Sequence, residues 1–161
     1  MNIIKVDKDL IKTTSDFAKD VFVDYYTNLI GETQARYMAD LFLSKEAIEK
    51  LINNGAIFKL VKDNNELVGF IEYVKEKDRV FLSKLYVRKD LRHTGIGKLM
   101  LEDCITYTKE NKLNKIYLTV NKANTSSINV YDHLGFKRID AVINDIGNGY
   151  VMDDYIMELN I

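Results

Sequence analysis

The sequence predicts an α/β fold in which helices pack on both faces of a mixed β-sheet (an α+β mixed sheet). Along the chain the apolar residues change from helical spacing to strand-like runs and back, and short polar turns separate those runs. The predicted element order is β-α-α-β-β-β-α-β-α-β-β. Because the 161 residues contain no repeat, low-complexity tract or Ser/Gly linker, we expect one domain over residues 1–161.

The N-terminal third is predicted to be a short strand followed by helices. Residues 2–6 are a strand candidate, and residues 10–53 carry apolar side chains at helical spacing among good helix formers. Gly31 and Ser44 are the breaks that we expect between the helices of this region.

The middle of the chain is predicted to form an antiparallel meander. Residues 57–61, 67–74 and 80–87 are rich in Val, Ile, Phe and Tyr, and polar turns at 63–65 and 76–78 separate them. Connections this short favour pairing between consecutive strands.

Helices and strands alternate in the remainder. Residues 95–111 return to helical spacing, 115–120 form a strand and 126–134 a short helix. Two closing strands are predicted at 136–143 and 150–159.

The composition narrows the classes of function. The 23 Lys and Arg nearly balance the 24 Asp and Glu, which argues against nucleic acid as a partner, and no run approaches the roughly 18 apolar residues of a membrane span. The first ten residues lack the apolar stretch of a secretory signal. A lone Cys104 excludes an internal disulfide and cannot by itself form a metal site. We therefore expect a cytoplasmic protein without a metal and without membrane or nucleic-acid partners.

Residues 84–98 combine a strand end, a basic loop and a helix start marked by glycines. Gly95 and Gly97 remove side chains where the backbone turns, so that amide N–H groups can point outward together at a helix N-terminus. One acidic residue, Asp90, stands among five basic ones, which are Lys84, Arg88, Lys89, Arg92 and Lys98. This pattern predicts a pyrophosphate-binding loop.

Two common phosphate-binding motifs do not fit this segment. A P-loop needs glycine at position 92 and Ser or Thr at 99, where the chain has Arg92 and Leu99. The dinucleotide fingerprint needs glycine at position 100, which is Met100. A glycine-containing helix start with solvated charges remains the alternative interpretation.

The segment resembles that of a known family. Residues 92–97, R-x-x-G-x-G, match the R/Q-x-x-G-x-G/A signature of the GNAT family of N-acetyltransferases, which bind acetyl-coenzyme A. Residues 124–136 are similar to the family pattern N-x-x-A-x-x-x-Y-x-x-x-G-F, with Ser127 at the alanine position. The resemblance implies the GNAT acyltransferase fold, acetyl-CoA as cosubstrate and no metal. Family members are commonly dimers, so a homodimer is a candidate assembly.

The resemblance also implies which residues hold the cofactor. The strand ending at 87 would pair through its backbone with the pantetheine arm, and the loop after it would hold the pyrophosphate through N–H groups. Asn124 would bond the pantetheine amide, although its position is equally consistent with a simple helix N-cap. The implied cofactor-binding residues are Leu85, Tyr86, Val87, Arg92, His93, Thr94, Gly95, Ile96, Gly97, Lys98, Asn124 and Tyr131.

The resemblance further implies that Tyr131 donates a proton to the departing coenzyme A thiolate, the alternative being a core aromatic. The general base is less defined, because the position where family members often carry glutamate is Ser83. Glu72, Asp153 and Asp154 are the remaining candidates, and each is also compatible with a solvated strand face. Strand alternation places Asp153 with the apolar Tyr155 and Met157.

The acceptor is predicted to be a primary amine. Residues 139–161 contain five acidic side chains and no Lys or Arg, and the segment 147–155 resembles those of bacterial polyamine acetyltransferases. Asp24, Tyr25, Tyr26 and Glu32, in the helical region that borders the acceptor site in this family, are compatible with a cationic acceptor.

We therefore expect an acetyl-CoA-dependent N-acetyltransferase that works by direct attack in a ternary complex. A CoA-binding sensor with little catalysis, or an acetyltransferase of protein N-termini or lysines, are the alternatives. A ping-pong route through Cys104 is disfavoured, because that residue lies on the apolar face of its predicted helix.

Overall fold

The computed structural model describes residues 1–161 and contains seven strands and five α-helices. No helix has both the length and the apolar character needed to cross a membrane. The strands are β1 (Asn2–Lys5), β2 (Ile57–Asp63), β3 (Glu66–Lys75), β4 (Val80–Val87), β5 (Lys115–Asn121), β6 (Lys137–Gly147) and β7 (Tyr150–Asn160). The helices are α1 (Ile11–Ile30), α2 (Glu32–Leu43), α3 (Lys45–Asn53), α4 (Ile96–Glu110) and α5 (Thr125–His133).

All seven strands belong to one mixed sheet in the order β1-β2-β3-β4-β5-β7-β6. Strands β2, β3 and β4 form the expected antiparallel meander, and β1 pairs antiparallel with β2 at its edge. Strand β5 runs parallel to β4, and β7 pairs antiparallel with both β5 and β6. The predicted mixed α/β fold is thereby confirmed.

The helical region after β1 contains three helices, whereas the predicted order had two. Gly31, in a positive-φ conformation (φ 87°), separates α1 from α2. Ser44 ends α2 and caps α3, because its hydroxyl accepts a hydrogen bond from the Ala47 N–H at 3.1 Å. Both breaks lie at the residues that the sequence indicated.

The helices cover both faces of the sheet, and each face has its own buried cluster. Helices α1, α2 and α3 pack on one face, where Phe70 of β3 is buried. Helices α4 and α5 pack on the other, where the next residue, Ile71, is buried. The alternation of neighbouring side chains along β3 thus divides the core into an α1 face and an α4 face.

The sheet parts between its two parallel strands. Strands β4 and β5 pair only at Val80 with Ile116 and at Phe81 with Tyr117. Just beyond this point β4 contains a bulge against β3, because Leu82 and Lys84 pair with consecutive residues and leave Ser83 as the extra one. The remainder of β4 therefore diverges from β5 and leaves a gap in the middle of the sheet.

Helix α4 approaches the sheet closely at Gly69 of β3. A Cβ atom there would lie 3.0 Å from the backbone oxygen of Tyr86 and 3.2 Å from Cε of Met100. A Cβ at Gly97, by contrast, would meet Leu85 Cδ2 at an ordinary 3.6 Å.

We expect Gly69→Ala to destabilise the protein by about 1–3 kcal/mol, because the backbone oxygen of Tyr86 cannot move aside as a flexible side chain can. The thermal midpoint should fall by roughly 3–10 °C in a melting experiment. Gly97→Ala is the matched control and should leave the midpoint unchanged or raise it, since alanine is favoured over glycine in a helix. Equal midpoints for wild type and Gly69→Ala would contradict the close packing.

Candidate active site

The gap between β4 and β5 opens into a cavity of about 460 Å³. Its walls come from α1, the second half of β4, the N-terminal end of α4, strand β5 and helix α5. The lining residues are Tyr25, Tyr26, Leu82, Ser83, Leu85, Tyr86, Val87, Arg92, His93, Gly95, Gly97, Lys98, Leu101, Leu118, Thr119, Val120, Asn124, Ser126, Ser127, Val130, Tyr131 and Leu134. We call this cavity the cleft.

Strand β4 presents to the cleft backbone groups that no neighbouring strand pairs, although the Val87 oxygen among them accepts a hydrogen bond from Nε of Arg92 at 3.2 Å. The Arg88 N–H donates to Val68 O on β3 at 2.8 Å, so the alternation of an antiparallel ladder turns the N–H and C=O groups of Val87 and Leu85 the other way, toward β5. At these positions β5 has already diverged. One wall of the cleft is therefore a free strand edge.

The N-terminus of α4 forms the next wall. Gly95 precedes the helix in the left-handed conformation (φ 94°), and no side chain caps the helix there. The N–H groups of Gly97 and Lys98 consequently have no acceptor in the protein. Gly97 faces Leu85 and Val87 of β4, whose side chains would lie 3.6 and 3.8 Å from a Cβ atom at this position.

Three of the five basic residues in 84–98 do not line the cleft, and they are Lys84, Arg88 and Lys89. Lys84 forms a buried ion pair with Glu72 at 3.1 Å, and Arg88 pairs with Asp90 and Glu66. Arg92 and Lys98 do line the cleft, together with His93. The Nε of Arg92 donates to Val87 O at 3.2 Å, while its Nη2 is buried without a partner.

Helix α5 forms the opposite wall, and its cap is Asn124. The Oδ1 atom accepts the Ser127 N–H at 3.2 Å and the hydroxyl of Tyr25 at 2.8 Å. Asn124 is only 6% exposed and lies against the cleft. The N-cap interpretation and a ligand-binding role thus apply to the same side chain.

Four tyrosines line the cleft, and they are Tyr25, Tyr26, Tyr86 and Tyr131. Tyr26 and Tyr86 share a hydrogen bond of 3.0 Å between their hydroxyls, and burial raises the pKa of Tyr26 to about 12. Tyr131 packs edge-on against Phe136 and lines the cleft. Burial, with smaller contributions from Tyr26 and Tyr25, raises the pKa of Tyr131 well above its ordinary value, so the phenol is protonated at neutral pH.

The three carboxylates predicted as base candidates lie in different surroundings. Glu72 is 1% exposed, carries the ion pair with Lys84 and is not part of the cleft lining. Asp153 pairs with Lys122 at 2.9 Å. By strand alternation it shares the α4 face with Met157, whereas Asp154 lies on the α1 face.

Asp154 is the buried carboxylate without an ion-pair partner. It is 4% exposed, and desolvation, followed by the neighbouring charge of Asp153, raises its pKa to about 6. Its charge contributes to the raised pKa of Tyr26, which lines the cleft, but Asp154 itself is not among the lining residues. A carboxylate with this pKa is mostly ionised at pH 7 and can accept a proton.

These features can be compared with known proteins. The model of the acetyltransferase (GNAT) family matches residues 17–136. The chain belongs to this family. The resemblance inferred from the two sequence motifs is thereby confirmed.

Several GNAT relatives are similar over most of the chain. The peptidyl-lysine N-acetyltransferase YjaB of Salmonella typhimurium is 28% identical over 115 residues, which cover 71% of each chain. Spermidine N(1)-acetyltransferase of Thermoplasma acidophilum is 23% identical over 95% of this chain and 96% of its own. A crystal structure of PaiA N-acetyltransferase from Thermoplasma acidophilum in complex with coenzyme A superposes with a TM-score of 0.83 at 23% identity, covering 99% of this chain and 98% of the other.

Most of the predicted cofactor residues of this GNAT protein meet at the cleft. Two do not line it: Thr94 donates its hydroxyl to Leu91 O, and Ile96 is buried in the core beneath α4. The members that do line it are Leu85, Tyr86, Val87, Arg92, His93, Gly95, Gly97, Lys98, Asn124 and Tyr131. Their roles toward a cofactor stay predictions.

The four residues predicted to border the acceptor site lie in two different places. Tyr25 and Tyr26 line the cleft, but Asp24 and Glu32 line a separate groove that also contains Lys89. Neither the contact of Tyr25 with Asn124 nor the pairing of Tyr26 with Tyr86 is predicted by the sequence motifs. These pairs are far apart in sequence, and no spacing rule connects them.

The raised pKa of Asp154 predicts how stability depends on pH. Below about pH 4 the carboxyl group is protonated in both the folded and the unfolded state. As the pH rises toward 6 the unfolded state loses this proton first, so the free energy of unfolding falls. Well above pH 6 the carboxyl group is ionised in both states, and the free energy of unfolding falls no further from this cause.

We therefore expect Asp154→Asn, which keeps a neutral side chain at every pH, to raise the thermal midpoint at pH 7.5. A rise of roughly 2–4 °C is expected, the shift that about 1 kcal/mol produces in a protein of this size. The difference from wild type should shrink as the pH is lowered to 4. Asp153→Asn is the control and should not raise the midpoint, because that carboxylate is paired with Lys122. If the midpoints of Asp154→Asn and wild type differ by the same amount at every pH, the pKa of Asp154 is not raised in the folded protein.

Proposed function

We propose that the protein is an acetyl-CoA-dependent N-acetyltransferase that acetylates a primary amine by direct attack in a ternary complex. The observation that carries the proposal is the cleft itself, in which the free edge of β4 meets the uncapped N-terminus of α4. The family membership and the coenzyme A complex of the Thermoplasma relative support the same cosubstrate.

The cleft matches the two chemically different parts of coenzyme A. The pantetheine arm is an extended chain with amide groups, and the N–H and C=O of Leu85 and the N–H of Val87 can pair with it as a neighbouring strand would. The pyrophosphate is an anion that suits free N–H groups at a helix N-terminus. Lys98 and the unpartnered Nη2 of Arg92 supply positive charge on that side.

Acetyl-CoA, when bound, supplies a thioester whose C–S bond breaks as the amine nitrogen forms the new C–N bond, so that coenzyme A thiolate leaves and the nitrogen gives up one proton. The protein has to manage two protons in this reaction. One must leave the attacking amine, and the other must reach the departing sulfur.

Tyr131 is the proposed donor to the departing sulfur. Tyr131 lines the cleft, and its hydroxyl is protonated at neutral pH. The proton is therefore available to a group that enters the cleft.

Asp154 is the proposed acceptor of the amine proton, through water. An alkylamine with a pKa of about 10.4 is mostly protonated at pH 7 and must be deprotonated before it attacks. Of the three candidate carboxylates, Glu72 and Asp153 are held by lysines, while Asp154 has no such partner and lies on the α1 side. Its pKa of about 6 leaves it ionised at the working pH.

A polyamine is the proposed acceptor class. Two relatives are named for acetylation of spermidine or spermine, including a probable spermine N(1)-acetyltransferase of Bacillus subtilis subsp. natto that is 31% identical over 81 residues. A peptide lysine is the second candidate, supported by the likeness to the peptidyl-lysine enzyme. Both acceptors offer a primary amine at the end of an alkyl chain.

The test is a thiol-release assay with acetyl-CoA and a panel of amines that includes spermidine, spermine, a lysine-containing peptide and an N-terminal peptide. We expect release to be fastest with a polyamine. Gly97→Glu is the negative control variant. Its carboxylate would stand where we propose the pyrophosphate, so acetyl-CoA binding should weaken at least tenfold. Binding of acetyl-CoA without release for every amine would instead favour a sensor.

We expect Tyr131→Phe to lower kcat by about ten- to a hundredfold, while the Kd for coenzyme A stays within about twofold. The loss is moderate because a thiol with a pKa of about 8.5 is a fair leaving group without help. Tyr107→Phe is the control and should leave kcat unchanged, because Tyr107 lies in the C-terminal turn of α4, packs against Tyr73 and does not line the cleft. Equal kcat values for wild type and Tyr131→Phe would show that the sulfur receives its proton from another group.

A further inference from the structure

Tyr25 is the side chain that connects the two helical layers through the gap in the sheet. It belongs to α1, which packs on one face, while α5 packs on the other. Its hydroxyl lies 2.8 Å from Oδ1 of Asn124 and 2.6 Å from Oγ of Ser127, both at the start of α5. Its ring lies beneath the guanidinium of Arg92, with Cζ 4.7 Å from the ring centroid. Tyr25 thus contacts two walls of the cleft that the proposed cofactor would occupy, at Asn124 and at Arg92.

The direction of each hydrogen bond at this point follows from the number of protons. The tyrosine hydroxyl has one proton, and Asn124 Oδ1 takes it. The 2.6 Å contact with Ser127 must then run from the serine hydroxyl to the tyrosine oxygen. Ser127 N–H completes the set by donating to the same Oδ1.

These bonds determine which way the Asn124 amide faces. Two donors, the Tyr25 hydroxyl and the Ser127 N–H, converge on Oδ1, so the opposite orientation would place the amide protons against an N–H donor. The Nδ2 group is left without an acceptor in the protein. Since Asn124 is nearly buried and lines the cleft, its two N–H donors are available to a ligand there.

We propose that Tyr25 is a positioning residue for the cofactor, with its hydroxyl orienting the Asn124 amide toward a carbonyl of the pantetheine arm and its ring holding Arg92 over the pyrophosphate side. This inference rests on the proposed use of acetyl-CoA. The two contributions come from different atoms of one side chain, so different substitutions separate them.

Tyr25→Phe removes the hydroxyl and keeps the ring. The Kd for coenzyme A, measured by titration calorimetry, should rise about tenfold, because the amide is then held by the Ser127 N–H alone. The Kd for adenosine 3′,5′-bisphosphate, which lacks the pantetheine arm, should stay within about twofold. Tyr25→Leu also removes the ring beneath Arg92, so it should weaken both ligands.

Two further variants separate positioning from stability. Tyr37→Phe removes a comparable hydroxyl bond, 2.6 Å to Ile146 O, at a site far from the cleft, and it should lower the thermal midpoint without changing the Kd for coenzyme A. Asn124→Asp keeps the helix cap and the acceptor for Tyr25 but removes the N–H donors. In that background Tyr25→Phe should cause no further loss of affinity.

The outcomes distinguish this inference from the proposed function. If wild type binds and turns over acetyl-CoA while Tyr25→Phe binds coenzyme A equally well, the positioning role is wrong and the proposed function stands. Equal losses for coenzyme A and for the bisphosphate would also overturn it, since the hydroxyl would then not act on the pantetheine side. If wild type binds no coenzyme A, both proposals fall.

Discussion

The parting of β4 and β5 is the constraint on which the rest of the structure depends. Buried backbone N–H and C=O groups are costly when they have no partner, and a strand in the middle of a sheet normally has partners on both sides. Here the ladder stops after two residue pairs, and the bulge at Ser83 turns the rest of β4 away. The fold therefore maintains a free edge in its interior, and a ligand with strand-like amides can satisfy it.

The same opening determines what the neighbouring helices do. Helix α4 begins at the gap without a side-chain cap, which leaves N–H groups pointing into it. Helix α5 begins on the other side, and its cap, Asn124, is shared with Tyr25 of α1. The positive charge near the opening is consequently delivered by the backbone dipole of α4 together with Arg92 and Lys98. Lys84 and Arg88 do not contribute to it, because Glu72, Asp90 and Glu66 neutralise them.

The local features were predictable from the sequence because they depend on neighbouring residues. The breaks at Gly31 and Ser44 follow from backbone chemistry, and Asp153 shares a face with Met157 by strand alternation. The contacts that shape the cleft, by contrast, join residues on different strands and helices. Lys84 could be counted as a phosphate ligand from its position, but only the register of β3 against β4 shows that Glu72 holds it. The bond from Tyr25 to Asn124 spans 99 residues and depends on the whole sheet.

The route of acetyl transfer follows from what the cleft can and cannot hold. A ping-pong route needs a nucleophile that can carry the acetyl group, and Cys104 is packed in the core between α4 and the sheet. Burial raises the pKa of its thiol to about 12, so the reactive thiolate is scarce at neutral pH, and the residue does not line the cleft. The cleft offers no other thiol. In the proposed reaction the acceptor amine therefore meets the thioester directly, and both substrates would have to be present together. The α1 side of the gap, which Tyr26 lines, is the place that we propose for the amine.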